Sequence, residues 1–95
     1  MTDANNNWWI VTGTFSPTTG ALDEHSVVTA IESADHVATG TAVFTADGKY
    51  DAVFAMNSAT SLEAARAQGK RICEGAATEL SCEYAGSSVI HESDA

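Results

Sequence analysis

Apolar residues recur along this chain with two different spacings, and the alternating spacing predicts strands. Aromatic and β-branched residues dominate the first such segment, and Asp47-Gly48 separates two others. An Asp-Gly pair favours a two-residue hairpin turn, because both turn positions need a positive φ. The predicted strands are Trp8–Phe15, Thr39–Ala46, Lys49–Asn57 and Glu79–Ala85, and Ser88–His91 is expected to add a short edge pairing.

Two other segments carry apolar residues at helical spacing. The first predicted helix is Asp23–His36, where Asp23 and Glu24 suit the positive N-terminal end. The second begins near Thr60, which has capping-box spacing to Glu63, with Ser61 as the alternative cap. Gly75 is predicted to end this helix. Its apolar arc contains Leu62, Ala65, Gly69, Ile72, Cys73 and Ala76.

The resulting order, β-α-β-β-α-β, is that of the ferredoxin-like split unit. It predicts an α+β fold in which two right-handed crossovers place both helices on one face of a four-stranded antiparallel sheet. Length limits the chain of 95 residues to one domain. We expect a disordered N-terminal arm over residues 1–7, a single α+β domain over 8–91 and a frayed tail over 92–95.

The first strand opens with Trp8-Trp9-Ile10-Val11. An aromatic opening strand in a small chain of this element order resembles small uncharacterised proteins of actinobacteria and their phages. The resemblance rests on the pattern of elements and on this one segment. It implies an accessory, phage-type protein and brings no functional residues with it, and the ferredoxin-like fold itself hosts many unrelated functions.

Composition narrows the possible classes of function. The chain has 4 basic and 13 acidic residues, a net charge of -9, and 44% hydrophobic residues. It is too apolar for a disordered acidic tail, and it lacks the basic face that a direct nucleic-acid binder needs. No apolar run is long enough to span a membrane, and no secretory signal is evident. We therefore expect a cytoplasmic protein.

A two-residue turn places Ala46 opposite Lys49 and so determines which hairpin residues share a face. The hairpin face with the smaller side chains, Ala42, Phe44, Ala46, Asp51, Val53 and Ala55, is expected to lie under the helices. The opposite face is then open and rich in apolar residues, which is typical of a contact site. The candidate contact surface consists of Trp8, Ile10, Val43, Tyr50, Phe54 and Met56.

Other chemistry in the sequence is sparse. Glu32 and His36 are spaced to share a metal ion, but two ligands on an exposed helix face make a poor site. We therefore expect neither a metal nor a cofactor. Cys73 and Cys82 are expected to be buried and reduced, although a disulfide between them is geometrically possible. No histidine or basic residue is predicted beside either thiol to activate it.

Three of the four basic residues, Arg66, Lys70 and Arg71, lie on the second predicted helix. They are suited to a phosphate or an acidic partner, but Glu63 and Glu74 are spaced to pair with them instead. No phosphate loop or nucleophile elbow is present, and we therefore find no catalytic set of residues.

We expect a non-catalytic interaction or regulatory module that contacts a partner protein or a second copy of itself through the open sheet face. One alternative is an acidic nucleic-acid mimic that inhibits a DNA- or RNA-binding protein. Another is a dimeric α+β barrel that binds a small molecule or acts as an enzyme. Salt dependence separates the first two, because screening weakens charge steering and leaves apolar contact unaffected.

Overall fold

A computed structural model describes residues 8–17, 22–35 and 38–94. In these ranges the order of strands and helices is the one predicted. The elements are β1 (Trp9–Ser16), α1 (Glu24–Ala34), β2 (Thr39–Ala46), β3 (Lys49–Met56), α2 (Leu62–Leu80) and β4 (Glu83–His91), followed by a 3-10 turn over Glu92–Asp94.

The strands form an antiparallel sheet of order β2-β3-β1-β4. Buried residues of both helices share one core with the buried side of this sheet, so the helices lie on the same face. The predicted α+β, ferredoxin-like fold is therefore confirmed. Because β1 and β3 are central, β2 and β4 are the edge strands, and neither helix of the described ranges lies over the second face of the sheet.

Both helices begin at polar caps that accept backbone hydrogen bonds. The Ser26 N–H donates to Asp23 Oδ1 at 2.8 Å, and this bond is the main cause that lowers the pKa of Asp23. The Ala64 N–H donates to Ser61 Oγ at 3.1 Å, so Ser61 rather than Thr60 caps α2. The sequence pattern thus located both N-termini to within one residue.

The C-terminal end of α2 differs from the prediction. The helix passes through Gly75 and ends at Leu80, where Ser81 adopts the left-handed conformation with φ 56° and ψ 41°. Burial of Ala76 and Ala77 continues the apolar side of the helix beyond Gly75, so packing outweighs the low helix propensity of that residue. The last strand accordingly begins at Glu83 rather than at Glu79.

The predicted edge pairing of Ser88–His91 is part of β4 itself, which pairs with β1 as far as His91. Within the segment 92–95, predicted to be frayed, Glu92–Asp94 forms a 3-10 turn and the Glu92 N–H donates to the Trp8 carbonyl at 3.0 Å. The predicted arm over residues 1–7 lies outside the described residues.

Two glycines allow α2 to lie close to the sheet. A Cβ atom on Gly13 of β1 would lie 2.5 Å from Cys73 Sγ, and one on Gly69 of α2 would lie 3.1 Å from Val11 Cγ1. Real Cβ atoms do not approach other atoms to 2.5 Å. The Cys73 side chain therefore fits against β1 only because residue 13 has no side chain. The separation between α2 and β1 therefore depends on both residues.

We expect Gly13→Ala to destabilise the fold by about 1–3 kcal/mol, because the new methyl group overlaps the Cys73 sulfur. Cys73→Ala removes that sulfur, and the nearest remaining atom, Cys73 Cβ, would be 3.7 Å from the new methyl. The double variant should then be more stable in urea than Gly13→Ala alone. Strictly additive losses in this double-mutant cycle would contradict this overlap.

Candidate functional site

The two faces of the sheet follow from its register. Ala46 lies opposite Lys49, as predicted from the Asp-Gly turn. Between β1 and β3, Val11 lies opposite Phe54 and Ile10 lies opposite Ala55. Directly opposed residues in antiparallel strands share a face. Val11 and Phe54 are buried beneath the helices, whereas Ile10 and Ala55 belong to the uncovered face.

The sequence-based choice of hairpin face was wrong. Of the predicted contact residues, only Trp8 and Ile10 belong to the uncovered face. Phe54 and Met56 are 1% and 0% exposed and lie in the core under the helices. The other two, Val43 and Tyr50, are partly buried and pack against that core, where the Tyr50 hydroxyl donates to the Leu22 carbonyl at 2.7 Å.

The physical reason is the amount of apolar surface that each choice removes from water. Burying Phe54 and Met56 removes more apolar surface than burying Val53 and Ala55 would. The small residues expected beneath the helices were also unnecessary, because Gly13 and Gly69 already permit the close approach of α2. The large side chains of β3 are therefore compatible with a helix layer close to β1.

One sequence signal favours the correct face without deciding it. Asp51 alternates with Val53 and Ala55, so burying those residues under the helices would also bury a carboxylate, which is costly without a partner. In the structure Asp51 lies on the uncovered face and accepts a hydrogen bond from Thr14 Oγ1 at 2.8 Å. The single charge in the middle of β3 was thus better evidence than side-chain size.

The uncovered face still has a largely apolar surface, formed by different residues from those predicted. Phe44 is 60% exposed on β2, and Ile90 is 45% exposed on β4 at the opposite edge. The cross-strand neighbours Ile10 and Ala55 bridge part of the distance between them. We call this surface the open face. Its apolar members are Trp8, Ile10, Ala42, Phe44, Ala46, Val53, Ala55 and Ile90.

The two central rows of the open face carry no charge. The register places Ile90, Ile10 and Ala55 in one row across the sheet, and Ser88, Thr12, Val53 and Ala42 in the next. Neither row contains an ionisable side chain. Asp51 and Lys49 lie beyond them on β3. The centre of the open face is thus uncharged in a protein whose net charge is -9.

The cysteines do not form a nucleophilic site. Both are free, with Cys73 buried and Cys82 half-buried. Burial, followed by the nearby Glu74 charge, raises the pKa of Cys73 to about 12, and burial also raises the pKa of Cys82. A thiol with a raised pKa is protonated at neutral pH and is therefore a poor nucleophile. The packing of Cys73 against Gly13 accounts for its position.

The residues considered for metal binding are not brought together in the described part of the chain. Glu32 is exposed on α1, and His36 lies outside the described residues. His91 contacts Trp9 edge to face, with ring centroids 4.8 Å apart, and its Nδ1 lies 2.7 Å from Ser93 Oγ. Among residues 8–17, 22–35 and 38–94 no three metal-ligating side chains cluster.

Comparisons with known proteins assign neither a family nor a function to this chain. No protein-family model, curated protein or solved structure matches this chain significantly. Neither helix in the described ranges has the length and apolar character required to cross a bilayer. The open face is therefore the strongest candidate functional surface on the geometry alone.

Proposed function

We propose that this protein is a non-catalytic interaction module that forms a homodimer through the open face. The observation that carries this proposal is the uncovered apolar surface between Phe44 and Ile90, which are 60% and 45% exposed on the two edge strands. An uncharged centre rich in apolar residues, here with Thr12 and Ser88 among them, is typical of a protein interface.

A second copy of the chain is the occupant that the charge distribution favours. Two chains of net charge -9 repel each other, so stable association requires contact through a surface that is free of acids. The central rows of the open face meet this condition. The exposed acids of the helices, such as Glu24 and Glu63, lie on the opposite side of the sheet and would point outward in a face-to-face pair.

The area of the face is sufficient for a specific pair. With strands about 4.8 Å apart and a rise of about 3.4 Å per residue, four strands of this length present about 500 Å². Two such faces bury about 1,000 Å² in total, the lower limit for a specific interface. A two-fold axis through the pair would place the same residues of both copies in contact.

We expect the wild-type chain to sediment with twice its mass of 9.9 kDa at high concentration. Phe44→Glu should weaken the dimer at least about tenfold, because the two-fold axis places a new charge in both halves of the interface. The matched control is Leu62→Glu, since Leu62 is 41% exposed at the start of α2, away from the open face. Analytical ultracentrifugation distinguishes these variants.

The dependence of dimer affinity on salt concentration is an independent test of the proposal. Added salt screens the repulsion between two acidic copies, so the dimer should tighten as ionic strength rises. A nucleic-acid mimic would instead bind a basic partner more weakly at high salt. A wild-type chain that stays monomeric at millimolar concentration, or a dimer lost in Leu62→Glu and retained in Phe44→Glu, would overturn the proposal.

A further inference from the structure

A second candidate surface, which shares only Ser88 with the open face, is a cleft of about 450 Å³ between α2 and the edge strand β4. Its volume is within the usual range for ligand sites. Two of its lining residues, Arg66 and Lys70, are half of the four Lys and Arg residues in an acidic chain. The lining residues are Arg66, Lys70, Tyr84, Ser87, Ser88 and Val89.

The two cations of this cleft have no ion-pair partner in the part of the chain that the structure describes. Arg66 and Lys70 are four residues apart and so lie on one stripe of α2. Among the described residues, neither forms an ion pair or a side-chain hydrogen bond, and the same holds for Glu63 and Glu74. The pairing with these glutamates considered from the sequence is therefore absent in this part of the chain, and both cations can reach an external anion.

The backbone of β4 supplies a second, independent feature. The Glu92 N–H donates to the Trp8 carbonyl, and antiparallel ladders alternate strictly between bonded and non-bonded pairs. In the register of β1 with β4, Ile90 and Ser88 thus bond to β1, while Ser87 and Val89 direct their N–H and C=O groups away from the sheet. These outward groups lie on the edge where Arg66 and Lys70 line the cleft.

We propose that this cleft binds an extended acidic segment of a partner protein as an additional strand on β4. The backbone of the segment would pair with the outward N–H and C=O groups of Ser87 and Val89. Alternate side chains of an added strand point to the helix side, where carboxylates would meet Arg66 and Lys70. A free phosphate would use the cations and leave the strand edge unpaired.

The test uses the full-length chain and a blocked heptapeptide that alternates glutamate with valine. Titration followed by NMR should shift the amide signals of Ser87 and Val89 and slow their hydrogen exchange. Two control peptides test the charge contacts and the backbone contacts separately. Replacing glutamate by glutamine should weaken binding at least tenfold, and N-methylation of alternate backbone amides should abolish it. Equal binding of the N-methylated peptide, or shifts at these amides with inorganic phosphate alone, would overturn strand addition.

Matched variants test the same residues from the protein side. Lys70→Glu should weaken peptide binding at least tenfold, whereas Arg71→Glu, on the same helix but outside the cleft, should change it less than twofold. Ser87→Pro removes an outward N–H that the sheet does not use, so it should fold and lose binding, while Ser87→Ala retains it. Equal effects of Lys70→Glu and Arg71→Glu would indicate only nonspecific charge attraction and would contradict the site.

This site is independent of the proposed dimer, because a face-to-face pair leaves the outer edge of β4 uncovered. Phe44→Glu should therefore dissociate the dimer and leave peptide affinity within twofold of the wild type. Peptide binding that disappears in Phe44→Glu would place the peptide on the open face instead. Urea midpoints measured for each variant exclude unfolding as the cause of a loss.

Discussion

Phe54→Glu is expected to leave the chain largely unfolded, whereas Phe44→Glu is expected to leave it folded. Phe54 is 1% exposed, and its cross-strand neighbour Val11 is fully buried. Truncating a buried phenylalanine costs about 3–5 kcal/mol, and an unpaired carboxylate in the same place adds to that loss. The sum approaches the whole stability of a small domain, which is about 5–15 kcal/mol.

Phe44 provides the matched control, because the same substitution is made in the same sheet at a side chain that is 60% exposed. Far-UV circular dichroism and urea midpoints of the two variants measure the difference. The interpretation from sequence alone, which placed Phe54 on the open face, requires the opposite ranking. A folded Phe54→Glu beside an unfolded Phe44→Glu would therefore reverse the assignment of the two faces.

The second large effect is expected at Gly69, where Gly69→Leu should destabilise the fold by about 3 kcal/mol or more. A Cβ at this position would already lie 3.1 and 3.3 Å from the two methyl groups of Val11 and 3.4 Å from Val89 Cγ2. The remaining atoms of leucine have no space between α2 and the sheet. They would force the helix away from β1 and β4.

Two further variants serve as controls for Gly69→Leu. Ala67→Leu, two residues earlier on the exposed side of α2, should be nearly neutral. Gly69→Ala should have a small net effect, because a gain of about 1 kcal/mol in helix propensity offsets the tight contacts of one methyl group. Equal urea midpoints for Gly69→Leu and Ala67→Leu would show that α2 does not approach the sheet at Gly69.

Much of the candidate site depended on one binary choice that the sequence pattern left open. The Asp-Gly turn correctly paired Ala46 with Lys49, and this pairing sorted the hairpin residues into two sets. Which set faces the helices is decided by contacts between elements far apart in the chain, such as Val11 with Phe54. Side-chain size suggested one answer and the charge of Asp51 the other, and the charge was the stronger indicator.

The cleft between α2 and β4 also depends partly on residues close in the chain and partly on contacts between distant segments. The sequence places Arg66 and Lys70 on one stripe of α2, because helical spacing is a local property. It does not place them beside the edge of β4. That juxtaposition depends on α2 continuing to Leu80, so that β4 starts at Glu83 and Ser87 and Val89 reach the cleft.

By itself, the sequence determined the order of elements, the hairpin register and, to within one residue, the starts of both helices. Each of these depends on interactions between residues close in the chain: a turn that needs positive φ at Asp47 and Gly48, and caps at Asp23 and Ser61. Only the tertiary structure decided which sheet face is covered and where α2 ends. Both are settled by how much apolar surface distant segments bury against each other, and no local pattern contains that quantity.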